Sequence, residues 1–368
     1  MNIGVFLPNW IGDVVMATPT LRALRKLVGP QGRIVGVMRP YVTAVLEGTP
    51  WLDGAIYYDP KSKKPELRNR AVVAGLRAQQ LDTVVLLTNS LRTGVLAWLS
   101  GAERRVGYAR ALSWAAAYGQ ALRTDARPHV VRQAALHARA GARLLPGNGL
   151  RFGLPAGIAQ AGTRTHRARR SCGRRRLAGF ESAPGNAGAK RVVVLNSGGA
   201  FGAAKLWPNE YFAALARRIV AETNRRVLVI CGPSEREVAR DVVRQAANER
   251  VVSLADQPLS IGLSKACVAR AGLMVTTDSG PRHFAAAFDV PVVSLFGPTH
   301  IAWSENHQRD AVHLQKRLPC GPCQKRVCPL GTHQCMRDLT VDEVFAAVRR
   351  RLDREDAATV RSKIAEAA

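Results

Sequence analysis

Short β-rich runs alternate with longer amphipathic stretches along this chain, and they do so in two separate series. In the first, Ile3–Leu7, Arg33–Met38, Ala55–Tyr58 and Thr83–Leu87 are predicted strands. Val14–Leu27, Tyr41–Leu46, Glu66–Gln80 and Arg92–Leu99 carry helical periodicity. Parallel strands need a crossover for every connection, and a helix of this length supplies it. The alternation therefore predicts an α/β fold with a parallel sheet covered on both faces.

The same pattern restarts near Arg191. Val192–Leu195, Val227–Cys231, Val251–Leu254, Leu273–Thr276 and Val290–Phe296 read as strands. Asn209–Glu222 and Ile261–Ala271 read as helices, and a further helix runs up to Phe288. Ser234-Glu235-Arg236-Glu237 and Thr340-Val341-Asp342-Glu343 have the capping-box pattern that opens a helix. The second box precedes an apolar stripe of Val341, Val344, Phe345, Val348 and Leu352. Two α/β domains follow, residues 1–180 and 190–352, with 353–368 as a tail. The join is unusual. From Ala126 to Phe180 there are twelve arginines and no acidic residue. This stretch reads as an exposed or disordered basic linker, or as sequence altered by a local change of reading frame.

Composition narrows the class. No apolar run is long enough to span a bilayer, and Asp13 interrupts what would be the core of a signal peptide, so a cytoplasmic protein is expected. The seven cysteines then read as thiols or metal ligands rather than a disulfide framework. The formal net charge is +27, and it stays strongly basic, 27 − 12 = +15, without the arginines of the join. Such a surface attracts anionic partners of several kinds. The basic run lacks aromatic stacking platforms and any nucleic-acid reading motif, so no specific nucleic acid is expected.

Ligands of open parallel sheets sit beyond the carboxyl ends of the strands. Three loops hold that position. "NWIGDVV" places Gly12-Asp13 between a strand and a helix, where the carboxylate either caps the helix or does chemistry. "NSGGAFGAAKLWP", residues 196–208, combines three glycines with Lys205, which suits a bound anion and equally an ordinary glycine-rich turn. "TTDSGPRHFAAAF", residues 276–288, sets Asp278 before a helix start whose free N–H groups favour a phosphate. His283 lies one turn inside that helix and reads as a structural histidine. No Asp-x-Asp pair occurs.

Five blocks, in order, resemble the ADP-heptose:lipopolysaccharide heptosyltransferases, in their heptosyltransferase II form. They are "PNWIGDVVMATPTLRALR", "LTNSLRTGVLAWLSGAERRVGY", "NSGGAFGAAKLWPNEYFAALARRI", "TTDSGPRHFAAAFDVPVVSLFGPT" and "CGPCQKRVCPLGTHQCMRDLTVDEV". The resemblance implies a GT-B glycosyltransferase, two Rossmann-like domains facing across a cleft, with the acceptor on the N-terminal side and the nucleotide sugar on the C-terminal side. It implies an inverting, metal-independent transfer of heptose from ADP-L-glycero-D-manno-heptose to the lipid A–core acceptor, at heptose I. Asp13 falls on the general base, and Lys205 on the group that neutralises the leaving diphosphate. Gly202, Glu235, Asp278, Ser279, Gly280 and His283 fall on the donor side. Gly12, Asn89, Ser90 and Arg92 fall on the acceptor side. The departure from the family lies between about Ala109 and Ala189, which puts the last strand and helix of the first domain in question. A related transferase with another sugar or acceptor remains open.

Cys320, Cys323, Cys328 and Cys335 form C-x2-C-x4-C-x6-C. Four thiolates so close in sequence suit either a structural zinc or free thiols, and the expected reaction needs no cofactor. The basic surface suits a diphosphate donor, a phosphorylated lipid acceptor and peripheral contact with the anionic inner leaflet.

Overall fold

The computed structural model of the chain describes residues 1–108, 120–122, 191–199, 201–306 and 308–367. The basic join and the domain boundary expected within it lie outside the described residues. The chain forms two compact units, one holding the described residues up to 122 and the other those from 191 onward.

The first unit runs β1 (Asn2–Phe6), α1 (Ile11–Val28), β2 (Arg33–Met38), α2 (Thr43–Leu46), β3 (Gly54–Tyr57), α3 (Asn69–Ala78), β4 (Thr83–Leu86), α4 (Leu91–Leu99), β5 (Arg104–Tyr108) and β6 (Gln120–Leu122). All six strands are parallel, in the order β3-β2-β1-β4-β5-β6. The central strands are buried on both faces, so β1 and β4 read as continuous apolar runs. Phe6, Val84 and Leu86 pack with Val72 and Leu76 of α3 and with Leu96 and Ala97 of α4 in one core cluster.

α1 tolerates Pro19 in its interior for a visible reason. Proline has no N–H to give to the carbonyl four residues back. That carbonyl, on Val15, instead accepts the Thr18 hydroxyl at 2.7 Å.

The second unit runs β7 (Val192–Asn196), α5 (Asn209–Thr223), β8 (Arg226–Ile230), α6 (Arg236–Ala246), β9 (Val251–Ser253), α7 (Ile261–Ala269), β10 (Leu273–Thr277), α8 (Arg282–Ala287), β11 (Val292–Phe296), β12 (Ala311–Gln315), α9 (Gln334–Arg337) and α10 (Val341–Ala367). Its strand order is β12-β11-β10-β7-β8-β9, again all parallel. Numbered from its own first strand this is the same 3-2-1-4-5-6 order as the first unit. In each sheet the order reverses between the first and fourth strands, and that reversal opens a crevice for a ligand.

Three expectations change. Residues 353–367 are not a separate tail but the continuation of α10, and Asp356 pairs with the buried Arg225 before β8. Ser234 does not open α6. Glu235 instead turns its carboxylate back to the Gly232 N–H at 2.7 Å, closing a tight turn over Pro233–Glu235. The strand in question after residue 109 does form, as β6 paired to β5. The β12 strand escaped the periodicity because it is half-buried along its whole length. Thr340 does cap α10, its hydroxyl accepting the Glu343 N–H at 3.3 Å.

Trp207 joins α5 to the start of α10. It is fully buried, donates its indole N–H to the Leu339 carbonyl at 2.8 Å, and meets Phe212 edge-on at 4.8 Å. Trp207→Ala is expected to lower stability by roughly 3–5 kcal/mol through the cavity it leaves. Trp207→Phe should lose about 1–3 kcal/mol, the cost of one unpaired buried carbonyl. Urea unfolding of the two variants beside the parent measures both.

Candidate active site

The residues singled out on the three loops follow the carboxyl ends of β1, β7 and β10, in the connecting turns or in the first turn of the next helix. The first unit places Asp13 in the first turn of α1, after β1. It does not cap the helix: Trp10 holds the cap position and makes no side-chain cap bond. Gly12 beside it is buried. A first-turn carboxylate is favoured by the helix dipole. The larger effect on Asp13 is burial, which pushes its pKa up to about 6. Among the described residues no cation or hydrogen-bond donor offsets that burial.

Asp13 lines a cavity of about 960 Å³ contained within the first unit. Arg39, Lys61, Asn89 and Arg92 line it too. Arg39 is held by Asp59 at 2.8 Å and Asn9 at 3.2 Å. The Asn89 side-chain carbonyl oxygen is buried and has no partner among the described residues. Ser90 also reaches the cavity, yet its hydroxyl is engaged as the cap of α4, accepting the Thr93 N–H at 3.2 Å. The cavity thus combines one under-solvated carboxylate with Lys61, Arg92 and the Asp59-paired Arg39.

In the second unit the loops after β7 and β10 are locked together. The Lys205 ammonium donates to Oδ2 of Asp278 at 2.8 Å and to the Asp278 carbonyl at 2.7 Å. Oδ2 also accepts the Thr299 hydroxyl, and Oδ1 accepts the Ser304 hydroxyl, each at 2.8 Å. Burial works to raise the Asp278 pKa, but the Lys205 charge and hydrogen bond, Arg282 and Thr299 outweigh it and hold it at about 2. The sequence marked Lys205 and Asp278 separately. It gave no sign that they pair.

Asn196 ties the same loops from β7. Its amide donates to Thr276 at 2.9 Å and to the Ser279 hydroxyl at 2.8 Å. Thr277 donates to the Gly198 carbonyl at 2.7 Å. Glu235, arriving from the turn after β8, lays its carboxylate against Gly198, where a Cβ would fall 2.0 Å from Oε1. Only glycine lets that carboxylate approach. Gly280 accepts the His283 N–H at 3.1 Å in the turn into α8. His283 is fully buried, and burial followed by the Arg282 charge lowers its pKa to about 3, so its ring is neutral at physiological pH. Arg282 is buried as well, over the Phe296 ring, and donates to the Ser304 carbonyl. Asn196, Thr299, Ser304 and Arg282 went unread in the sequence, because each is an ordinary polar residue until the fold brings it to Asp278 or Ser279.

The four clustered cysteines lie near one another, since burial and then the charges of Cys323, Cys328 and Cys320 push the pKa of the Cys335 thiol up. Cys320, Cys323, Cys328 and Cys335 are free thiols, and among the described residues no group of three or more His, Cys, Asp or Glu is placed to hold a metal ion. Backbone N–H groups of residues 330–333 engage the Cys328 sulfur, while Cys335 is half-buried against Gly297. No helix among the described residues is long and apolar enough to cross a membrane.

Residues 69–334 match the model of glycosyltransferase family 9 (heptosyltransferase). The chain is 30% identical over 166 residues to a lipooligosaccharide heptosyltransferase 2 of Campylobacter jejuni, covering 44% of this chain and 51% of that one. It thus spans about half the length of that relative. With the lipopolysaccharide heptosyltransferase 2 of Salmonella typhimurium the identity is 24%, over 96% of this chain and 99% of the other. Among solved structures, an Escherichia coli heptosyltransferase with ADP superposes with a TM-score of 0.73 at 18% identity, over 95% of this chain and 100% of that one, which shows the shared GT-B fold.

Asp278→Asn leaves the Lys205 charge buried without its partner. A loss of roughly 3–5 kcal/mol is expected at pH 7. The pH dependence has a defined sign. Because the folded pKa lies below the unfolded one, the pair's contribution is complete above about pH 4 and is lost as the pH falls toward 2. Thermal melts of parent and variant across pH 2–7 should converge at the acid end.

Proposed function

This chain belongs to glycosyltransferase family 9, the heptosyltransferases, and on that premise we propose that it transfers heptose from ADP-L-glycero-D-manno-heptose to heptose I of the lipopolysaccharide inner core. The observation that carries the proposal is Asp13: a carboxylate on the wall of a cationic cavity, without a partner among the described residues, with its pKa raised to about 6. Such a group is ionised at neutral pH and basic enough to take a proton from a sugar hydroxyl.

In the proposed reaction Asp13 accepts the proton of the acceptor hydroxyl as its oxygen attacks the anomeric carbon. The bond from that carbon to the diphosphate breaks, ADP departs, and the configuration inverts. Negative charge gathers on the departing diphosphate. Lys205 and the loop N–H groups after β7 and β10 oppose that charge, a role that fixed positive groups fill without a metal ion. Glu235, Ser279 and Gly280 shape the donor loops around the nucleotide sugar. Arg39, Lys61 and Arg92 receive the anionic acceptor. The enzyme would act at the cytoplasmic face of the inner membrane, with its basic surface toward the anionic leaflet.

The test is ADP release from ADP-heptose with a truncated lipopolysaccharide ending in heptose I, in EDTA. Acceptor-dependent release is expected, and Asp13→Asn should reduce it by about 10²–10⁴-fold. Release without acceptor dependence, or an unimpaired variant, would refute the assignment. Two pH signatures accompany it. Activity should fall as the pH drops through about 6, where Asp13 takes up its proton. A raised carboxylate pKa also means that ionised Asp13 costs the fold roughly 3 kcal/mol above pH 6, a cost that fades on acidification. Asp13→Asn should therefore melt at a higher temperature than the parent at pH 8, with the gap closing by pH 4.

A further inference from the structure

The segment between β12 and α9, residues 316–333, crosses both donor loops. The Arg326 carbonyl accepts the Ala204 N–H at 3.1 Å, one residue before Lys205. Gly202 packs so closely beneath it that a Cβ would fall 2.4 Å from that carbonyl, and its φ of +152° also favours glycine. Two residues away, the Gln324 N–H donates to the Pro298 carbonyl at 2.8 Å, next to the Thr299 that holds Asp278. Arg326 is thus fixed by its own backbone against the lysine-bearing loop, while its side chain stays exposed.

The charges at this point do not balance as the sequence suggested. Lys205 is paired with the Asp278 carboxylate, so it cannot by itself balance an incoming dianion. A nucleoside diphosphate carries more than one negative charge, and more as its sugar leaves. Arg326 is an exposed cation held beside this loop. Its guanidinium lies 5.6 Å from the centre of the Phe201 ring, and the Lys205 ammonium lies 4.6 Å from the same ring. Among the described residues no carboxylate pairs with it, and residues 316–337 contain no Asp or Glu at all. A cation on an aromatic face keeps its N–H edge free for an acceptor. Two N–H donors of one guanidinium match two phosphate oxygens.

We propose that Arg326 is a diphosphate-binding residue of the donor site, the second cation beside Lys205, docking over Phe201. This rests on the donor reading of the second unit given above. The Gly202 contact then has a purpose: it brings the backbone of the crossing segment close enough for Arg326 to reach the phosphates that the glycine-rich loop receives.

Calorimetric titration of the full chain with ADP and with adenosine tests it, using Arg326→Gln and Arg326→Lys. Neither change alters the backbone carbonyl that holds Ala204. Binding of ADP is expected to weaken at least tenfold in Arg326→Gln and less in Arg326→Lys, with adenosine affinity unchanged. The parent's ADP affinity should fall more steeply with salt than that of Arg326→Gln. Unchanged ADP binding in Arg326→Gln overturns the proposal. Equal weakening of ADP and adenosine also overturns it, since that marks a collapsed loop rather than a lost phosphate contact. A folded parent that binds no ADP refutes the donor reading itself, and this inference with it.

Discussion

The buried pair of Lys205 and Asp278 is the constraint on which the second unit's site depends. Two charges out of water are costly unless each is fully satisfied. Here Asp278 receives the ammonium and two hydroxyls, while Lys205 also donates to the Asp278 main-chain carbonyl. The arrangement fixes the loop after β7 to the loop after β10, and through Thr299 and Ser304 it recruits the segment following β11. Asn196 and Thr277 repeat the same cross-link a few ångströms down the strands. Glycine-rich loops are flexible on their own, and this network gives them one shape.

The two units treat their carboxylates in opposite ways. Asp278 is surrounded by donors and its pKa is held at about 2. Asp13 is half-buried with no partner among the described residues, and its pKa rises to about 6. Environments that push two acids apart in this manner separate a structural acid from a reactive one. The cost falls on the fold at Asp13, which fits the role of base proposed for it. His283 follows the same logic in reverse: burial beside Arg282 keeps it neutral, so it contributes shape and a ring nitrogen near Asn306 rather than a proton.

The strand order explains why these residues gather. Both sheets run 3-2-1-4-5-6, so the loops after their first and fourth strands flank the reversal in each unit. Asp13 and Asn89 occupy those loops in the first unit, and Lys205 and Asp278 in the second. A side chain placed there points away from the sheet's core and toward a crevice that the topology itself creates.

Much of this was legible in the chain before any folding. The apolar runs of β1, β4, β7 and β10 announced buried parallel strands, and the loops after them carried Asp13, Asn89, Lys205 and Asp278 at the right ends. Periodicity could do this because burial on both faces leaves a continuous apolar signature. It failed at β12, which is only half-buried, and at α10, whose last turns are too polar to read as a helix and are held instead by the Arg225–Asp356 pair. The capping pattern at Ser234 misled because Glu235 had a nearer backbone N–H to satisfy. By itself the sequence determined most element types, the two α/β series and which loops follow the carboxyl ends of the strands, since these follow from local patterns of apolar and polar residues. Only the tertiary structure decided which of those residues meet: that Lys205 pairs with Asp278, that Asp13 lines its cavity with no partner among the described residues, and that Arg326 lies over Phe201. Charge compensation and burial depend on groups distant in sequence, and no local pattern records them.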